Sequence, residues 1–111
     1  MSFDPGDIVE VPFPFVDLPV RKRRPALVLS NDERSGATAV FAMITSAKRS
    51  RWESDVSLQD WSEAGLNAPS LVRWKIFTLE TALIVDRRGT LSEADRVAVG
   101  RAFKRLFRDI C

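Results

Sequence analysis

Leu71-Val72-Arg73-Trp74-Lys75-Ile76-Phe77-Thr78-Leu79 alternates in a way that decides how the chain folds. Successive side chains of an extended strand point to opposite faces, so Val72, Trp74, Ile76 and Thr78 share one face and Arg73, Lys75 and Phe77 the other. Arg73 and Lys75 therefore point the same way. Toward the N-terminus, Asn67 to Ser70 reads as a loop around Pro69, Asp60 to Leu66 as one helical turn ending at Gly65, and Glu53 to Leu58 as a weaker alternation. Ala39 to Ile44 and Ala26 to Leu29 are short continuous apolar runs. Turn residues (Ser30, Asn31, Asp32, Ser35 and Gly36) separate them, which suits central strands buried on both faces. Ile8 to Phe15 alternates again, with Val9, Val11, Phe13 and Phe15 opposite Glu10, Pro12 and Pro14. Prolines cannot donate to a ladder, so the end of this strand belongs at an edge.

Toward the C-terminus, Ala82 to Val85 reads as one more strand, and a basic turn through Gly89 leads to the only long helix. Ser92 is placed to cap it, with Asp95 three residues on where a capping box wants its carboxyl group. Val99, Ala102, Phe103, Leu106, Phe107 and Ile110 follow helical spacing and define a buried stripe, beside a basic stripe of Arg101, Lys104, Arg105 and Arg108. Several short strands followed by one helix predict a mainly β fold, a small, partly closed β-barrel with a C-terminal α-helix. At 111 residues, without repeat or linker, positions 1–111 form one domain.

Hydrophobic residues make up 45% and charged residues 29%, an ordinary globular balance. No stretch approaches the roughly 20 apolar residues that span a bilayer, and the N-terminus lacks a signal-peptide layout, so a cytoplasmic protein with no membrane contact is expected. The net charge is +2, but the cations cluster at Arg21–Arg24, at Lys48, Arg49 and Arg51, at Arg73 and Lys75, and at Arg87 and Arg88. Such patches suit a polyanion, and each alone also suits a solvated loop. There is no histidine and no tyrosine, which excludes histidine acid/base pairs and Ser/His/Asp triads. The single cysteine, Cys111, cannot form an internal disulfide, and the usual zinc sites are excluded with it.

Gly6-Asp7-Ile8-Val9, Arg24-Pro25-Ala26-Leu27-Val28-Leu29-Ser30, Ile44-Thr45-Ser46, Ala64-Gly65-Leu66 and Pro69-Ser70-Leu71-Val72-Arg73 occur in the order seen in the PemK/MazF toxin family, which the chain resembles from Gly6 to the final helix. The Arg-Pro step before an apolar strand is the most specific element. The resemblance implies an SH3-like barrel with a C-terminal helix and a two-fold homodimer. It implies cleavage of single-stranded RNA at short motifs with neither metal nor cofactor, and a cognate antitoxin protein that blocks the site. Carried over position by position, it puts the catalytic arginine at Arg24, the catalytic threonine at Thr45 and a second arginine at Arg73.

Chemistry supports these residue types. RNA can be cut by its own 2′-OH attacking the adjacent phosphorus, leaving 2′,3′-cyclic phosphate and 5′-hydroxyl ends; the enzyme must stabilise negative charge and move protons. A guanidinium is always ionised and offers a fork of donors matched to two phosphate oxygens, a role for Arg24 and Arg73. Thr45, at a strand end, can donate to a phosphate oxygen. The chain departs from the family where some members carry an acid two positions after the strand arginine, here Lys75. It departs again in the first loop, where Asp17 is the nearest substitute for a glutamate. Lys75 is thus a candidate either for the base or for the acid that protonates the leaving 5′-oxygen. Arg21, Lys22, Arg23, Ser46, Lys48, Arg49 and Arg51 are expected to flank the site and hold RNA, and Trp52 and Trp74 are candidate stacking surfaces for unpaired bases. Three other readings stay open: a barrel of this kind that binds RNA without cutting, a CcdB-like toxin acting on a protein such as gyrase, and a nuclease using a metal held by Asp and Glu, against which the acids are scattered along the chain.

Overall fold

The computed structural model describes residues 3–13, 22–31, 37–48 and 51–111. Among these residues there are six strands: β1 (Asp7–Phe13), β2 (Lys22–Asn31), β3 (Thr38–Ser46), β4 (Val56–Ser57), β5 (Ser70–Glu80) and β6 (Asp86–Thr90), followed by helix α1 (Glu93–Leu106). They form one antiparallel sheet in the order β4-β5-β3-β2-β1-β6. The sheet curls into a half-barrel, with the mainly β architecture and single C-terminal helix expected from the sequence.

Both faces of the central strands are covered, as the continuous apolar runs required. Ile8, Leu27, Ala42, Ile44, Val72 and Trp74 pack beneath Leu91 and Val99 of the helical side. Val9, Val11, Ala26, Val28, Ala39 and Phe41 form a second core on the other face, joined by Phe77, Leu79 and Ile84. Phe41 and Phe77 stack there with ring centroids 5.4 Å apart. Register shifts let the sheet bend: one lies between Val28 and Ser30, and in another the pairs Ala42↔Ile76 and Met43↔Arg73 leave Trp74 and Lys75 as extra residues of β5.

Three local expectations are corrected. Ala82 to Val85 is no strand: Thr81–Leu83 forms a 3-10 turn, and β6 is built instead from the basic stretch Asp86–Thr90. As an edge strand pairing only with β1, β6 needs no apolar alternation. The helix does start after Ser92, whose hydroxyl accepts from the Asp95 amide at 3.2 Å, but Asp95 does not complete a capping box. Its buried carboxylate instead accepts from the amides of Gln59 and Asp60 at 2.9 and 2.8 Å, and Ser92 donates to Asp60 at 2.7 Å. These bonds tie the 59–66 segment to the helix base. Finally, the apolar stripe of α1 is only partly covered: Val99 is buried, Ala102 and Phe107 half-buried, and Phe103, Leu106 and Ile110 exposed.

The 60–66 segment turns in the helical sense, Ala64 bonding back to Asp60. It ends at Gly65, whose φ of 84° is in the left-handed region. A side chain there would collide with the Arg88 carbonyl, and one at Gly89 with the Ala64 carbonyl, so the turn lies directly against β6. No helix among the described residues is long and apolar enough to cross a membrane.

Candidate active site

β-strand periodicity assembles the site. Met43 pairs with Ala26 on one side and with Arg73 on the other. Arg24 lies two residues before Ala26 and Thr45 two after Met43, so period two puts Arg24, Thr45, Arg73 and Lys75 on the same sheet face. This face carries the second core over most of its length. Beyond its apolar residues, Arg24, Thr45, Arg73 and Lys75 line one pocket of about 510 Å³, together with Ser46, Trp52, Asn67 and Arg88 and a partly apolar floor that includes Met43, Ile44 and Leu66. Among the described residues, no Asp or Glu lines it.

Arg73 is held from behind. Its Nε donates to Asp55 Oδ1 at 3.1 Å and its Nη2 to Asp55 Oδ2 at 2.9 Å, a bidentate pair. The Trp52 amide donates to the same Oδ2 at 2.7 Å, and the Trp52 ring lies over the guanidinium, 4.7 Å from its carbon. Burial pushes the Asp55 carboxyl up. The hydrogen bonds from Arg73 and the Trp52 amide, with the charges of Arg73 and Arg51, outweigh this and hold it below the usual carboxylate value. Reciprocally, the hydrogen bond to Asp55 raises Arg73 against its own desolvation. Arg88 enters the pocket from β6, its Nη1 donating to Glu10 Oε1 at 2.8 Å and its Nε to the Gly65 carbonyl at 2.9 Å.

Of the flanking residues, Ser46 lines the pocket, and its hydroxyl accepts from the Lys48 amide at 3.3 Å. Lys22, Arg23, Lys48 and Arg51 are exposed and within two positions of wall residues in the chain, but outside the wall. Arg21, Arg49 and Asp17 lie outside the described residues. Trp74 is corrected: only 8% exposed, it packs on the helix side edge to face with Phe103, centroids 5.7 Å apart, and belongs to a different groove. Trp52, by contrast, is 46% exposed. Sequence reasoning missed Asp55, whose partner is 18 residues away, and placed Arg88 only in a basic patch; neither has a local signal.

The sequence model of the PemK-like, MazF-like toxins of type II toxin–antitoxin systems matches residues 4–107. The chain belongs to this family. Comparison with curated proteins finds no match. Among solved structures, the PemK/MazF chain resembles an endoribonuclease from Mycobacterial species in complex with its cognate antitoxin, with TM-score 0.72, 18% identity and 96% of each chain covered. It also resembles an endoribonuclease from Mycobacterial species, with TM-score 0.71, 18% identity, 97% of this chain and 93% of that one. The Mycobacterium tuberculosis toxin MazF-mt6 superposes with TM-score 0.69 at 23% identity, over 92% of this chain and 96% of the other. At such identities the likeness establishes a shared PemK/MazF fold.

Proposed function

We propose that this toxin-family chain is a metal-independent endoribonuclease that cuts single-stranded RNA. The observation that carries the reading is that Arg24, Thr45, Arg73 and Lys75, from three strands, converge on one pocket whose charged lining residues, among those described, are all cations. A scissile phosphate there meets two guanidinium groups and a hydroxyl donor, the kind of setting that stabilises charge added as the 2′-oxygen bonds to phosphorus. The P–O5′ bond then breaks; the 2′-OH gives up its proton to a base and the departing O5′ takes one up. Lys75 is the ionisable group left in the wall to serve one of these transfers. Trp52 offers a half-exposed ring for a flanking base. A cognate antitoxin that covers this pocket would silence it; an antitoxin partner is supported by the neighbour solved in complex with its own. The homodimer expected of the family is supported by the uncovered apolar residues of α1 and by exposed Ile76. Growth inhibition through RNA cleavage in the cytoplasm completes the reading.

Incubation of the purified protein with a long single-stranded RNA in excess EDTA tests this. Discrete cuts with 2′,3′-cyclic phosphate and 5′-hydroxyl ends are expected, falling by about 100- to 1000-fold in Arg24→Ala, the size of effect of removing one donor to an oxyanion. Full activity in that variant sinks the site; abolition of wild-type cleavage by EDTA sinks metal independence. A second reading, an RNA-binding module that does not cut, draws on the lack of a carboxylate in the described wall. Binding without cleavage would select it.

A further inference from the structure

We propose that Asp55 is a positioning residue that sets both the phosphate-binding guanidinium and the base-stacking ring of the site, an inference that rests on the nuclease reading. Asp55 is absent from the pocket wall, and its side chain is 4% exposed behind Arg73. One carboxylate nevertheless touches both elements: it holds the Nε and Nη2 of Arg73 in a single plane, and it accepts from the Trp52 amide. The second bond fixes where the chain turns at 52–55, a turn closed by the Asp55 amide donating to the Trp52 carbonyl at 3.0 Å. The indole then lies over the guanidinium. The long side chain of Arg73 would otherwise sample many rotamers, and ordering it during reaction would cost rate.

The charge of Asp55 has the wrong sign to attract RNA, and both of its oxygens are already hydrogen-bonded. It therefore acts neither as a phosphate contact nor as the base. This separates positioning from binding. Asp55→Asn keeps one acceptor oxygen for the Trp52 amide, so the ring stays in place, while the bidentate pair with Arg73 is lost and one negative charge beside the pocket is removed; affinity for an uncleavable 2′-deoxy-substituted oligonucleotide should hold or tighten. Cleavage at saturating RNA should fall by about 10- to 100-fold, the scale of a misplaced reacting group.

The test is a double-variant cycle of Asp55→Asn with Arg73→Lys, a lysine being unable to form the bidentate pair. Cleavage at saturating RNA and oligonucleotide affinity are measured for each protein, and folding is checked by circular dichroism. We expect Asp55→Asn to cost almost nothing further once Arg73 is lysine. In the free protein, the Arg73 Nε–H proton should give a solvent-protected NMR signal that Asp55→Asn abolishes. A fully active Asp55→Asn, an equal loss in the Arg73→Lys background, or binding that falls together with rate would each overturn the proposal. A wild type that cuts no RNA would overturn the nuclease reading instead, and loss or retention of the Nε–H signal in Asp55→Asn would then decide whether Asp55 positions Arg73.

Discussion

The two faces of β5 come from one strand with one alternation, yet they do different work. On the helix side, Val72 and Trp74 are buried beneath α1. On the other side, Arg73 and Lys75 line a pocket while Phe77, further along the same face, stacks on Phe41. Period two assigns each side chain to a face, but what covers that face at each level decides between core and site. Where the curled sheet is roofed by its own residues the face is apolar, and where that roof ends it becomes cationic.

The two tryptophans are the sharpest way to probe this contrast. Trp74→Ala should cost about 3–5 kcal/mol of stability, as truncating a buried ring leaves a cavity, and thermal or urea unfolding would show it. A loss below about 1 kcal/mol would mean that the helix side is not a packed core. Trp52→Ala should shift stability by no more than about 0.5 kcal/mol while weakening single-stranded RNA binding by about 1–3 kcal/mol, read by fluorescence anisotropy. Unchanged affinity would remove Trp52 from the RNA surface. The smallest effect is pH-dependent. Because the Asp55 carboxyl is held below its ordinary value in the folded protein, its contribution is present above the unfolded-state value and lost as pH falls through the folded one. Melting temperatures followed between about pH 5 and pH 2 should therefore decline less steeply in Asp55→Asn than in the wild type, and parallel curves would contradict the assignment.

Much of this was legible in the residues. The alternation of 71–79 predicts both the strand and the shared face of Arg73 and Lys75, and the apolar runs 26–29 and 39–44 predict strands covered on both sides. The rest depended on partners distant in sequence. Alternation cannot say that Trp74 is covered, because Phe103 comes from a helix 29 residues later. Asp95 has the position of a capping-box acid and is drawn away by backbone amides 35 and 36 residues upstream. Ala82 to Val85 has strand composition, yet only Ile84 of the run packs against a core, so the chain turns there and pairs one segment later. Asp55 carries no motif at all; only the fold brings it behind Arg73.

The ends of the sheet bear on how the protein behaves when abundant. Among the described residues, the outermost strands of the sheet pair on one side only, and such an edge is a template for joining another chain. Here β4 is only two residues long, and β6 reads Asp86-Arg87-Arg88-Gly89-Thr90, with Asp86 and Arg87 exposed. One margin is too short to extend and the other too charged to welcome a neighbour. The exposed charges of Asp86 and Arg87, part of a stretch that reads as a turn in the sequence, thus guard the chain against strand-to-strand aggregation.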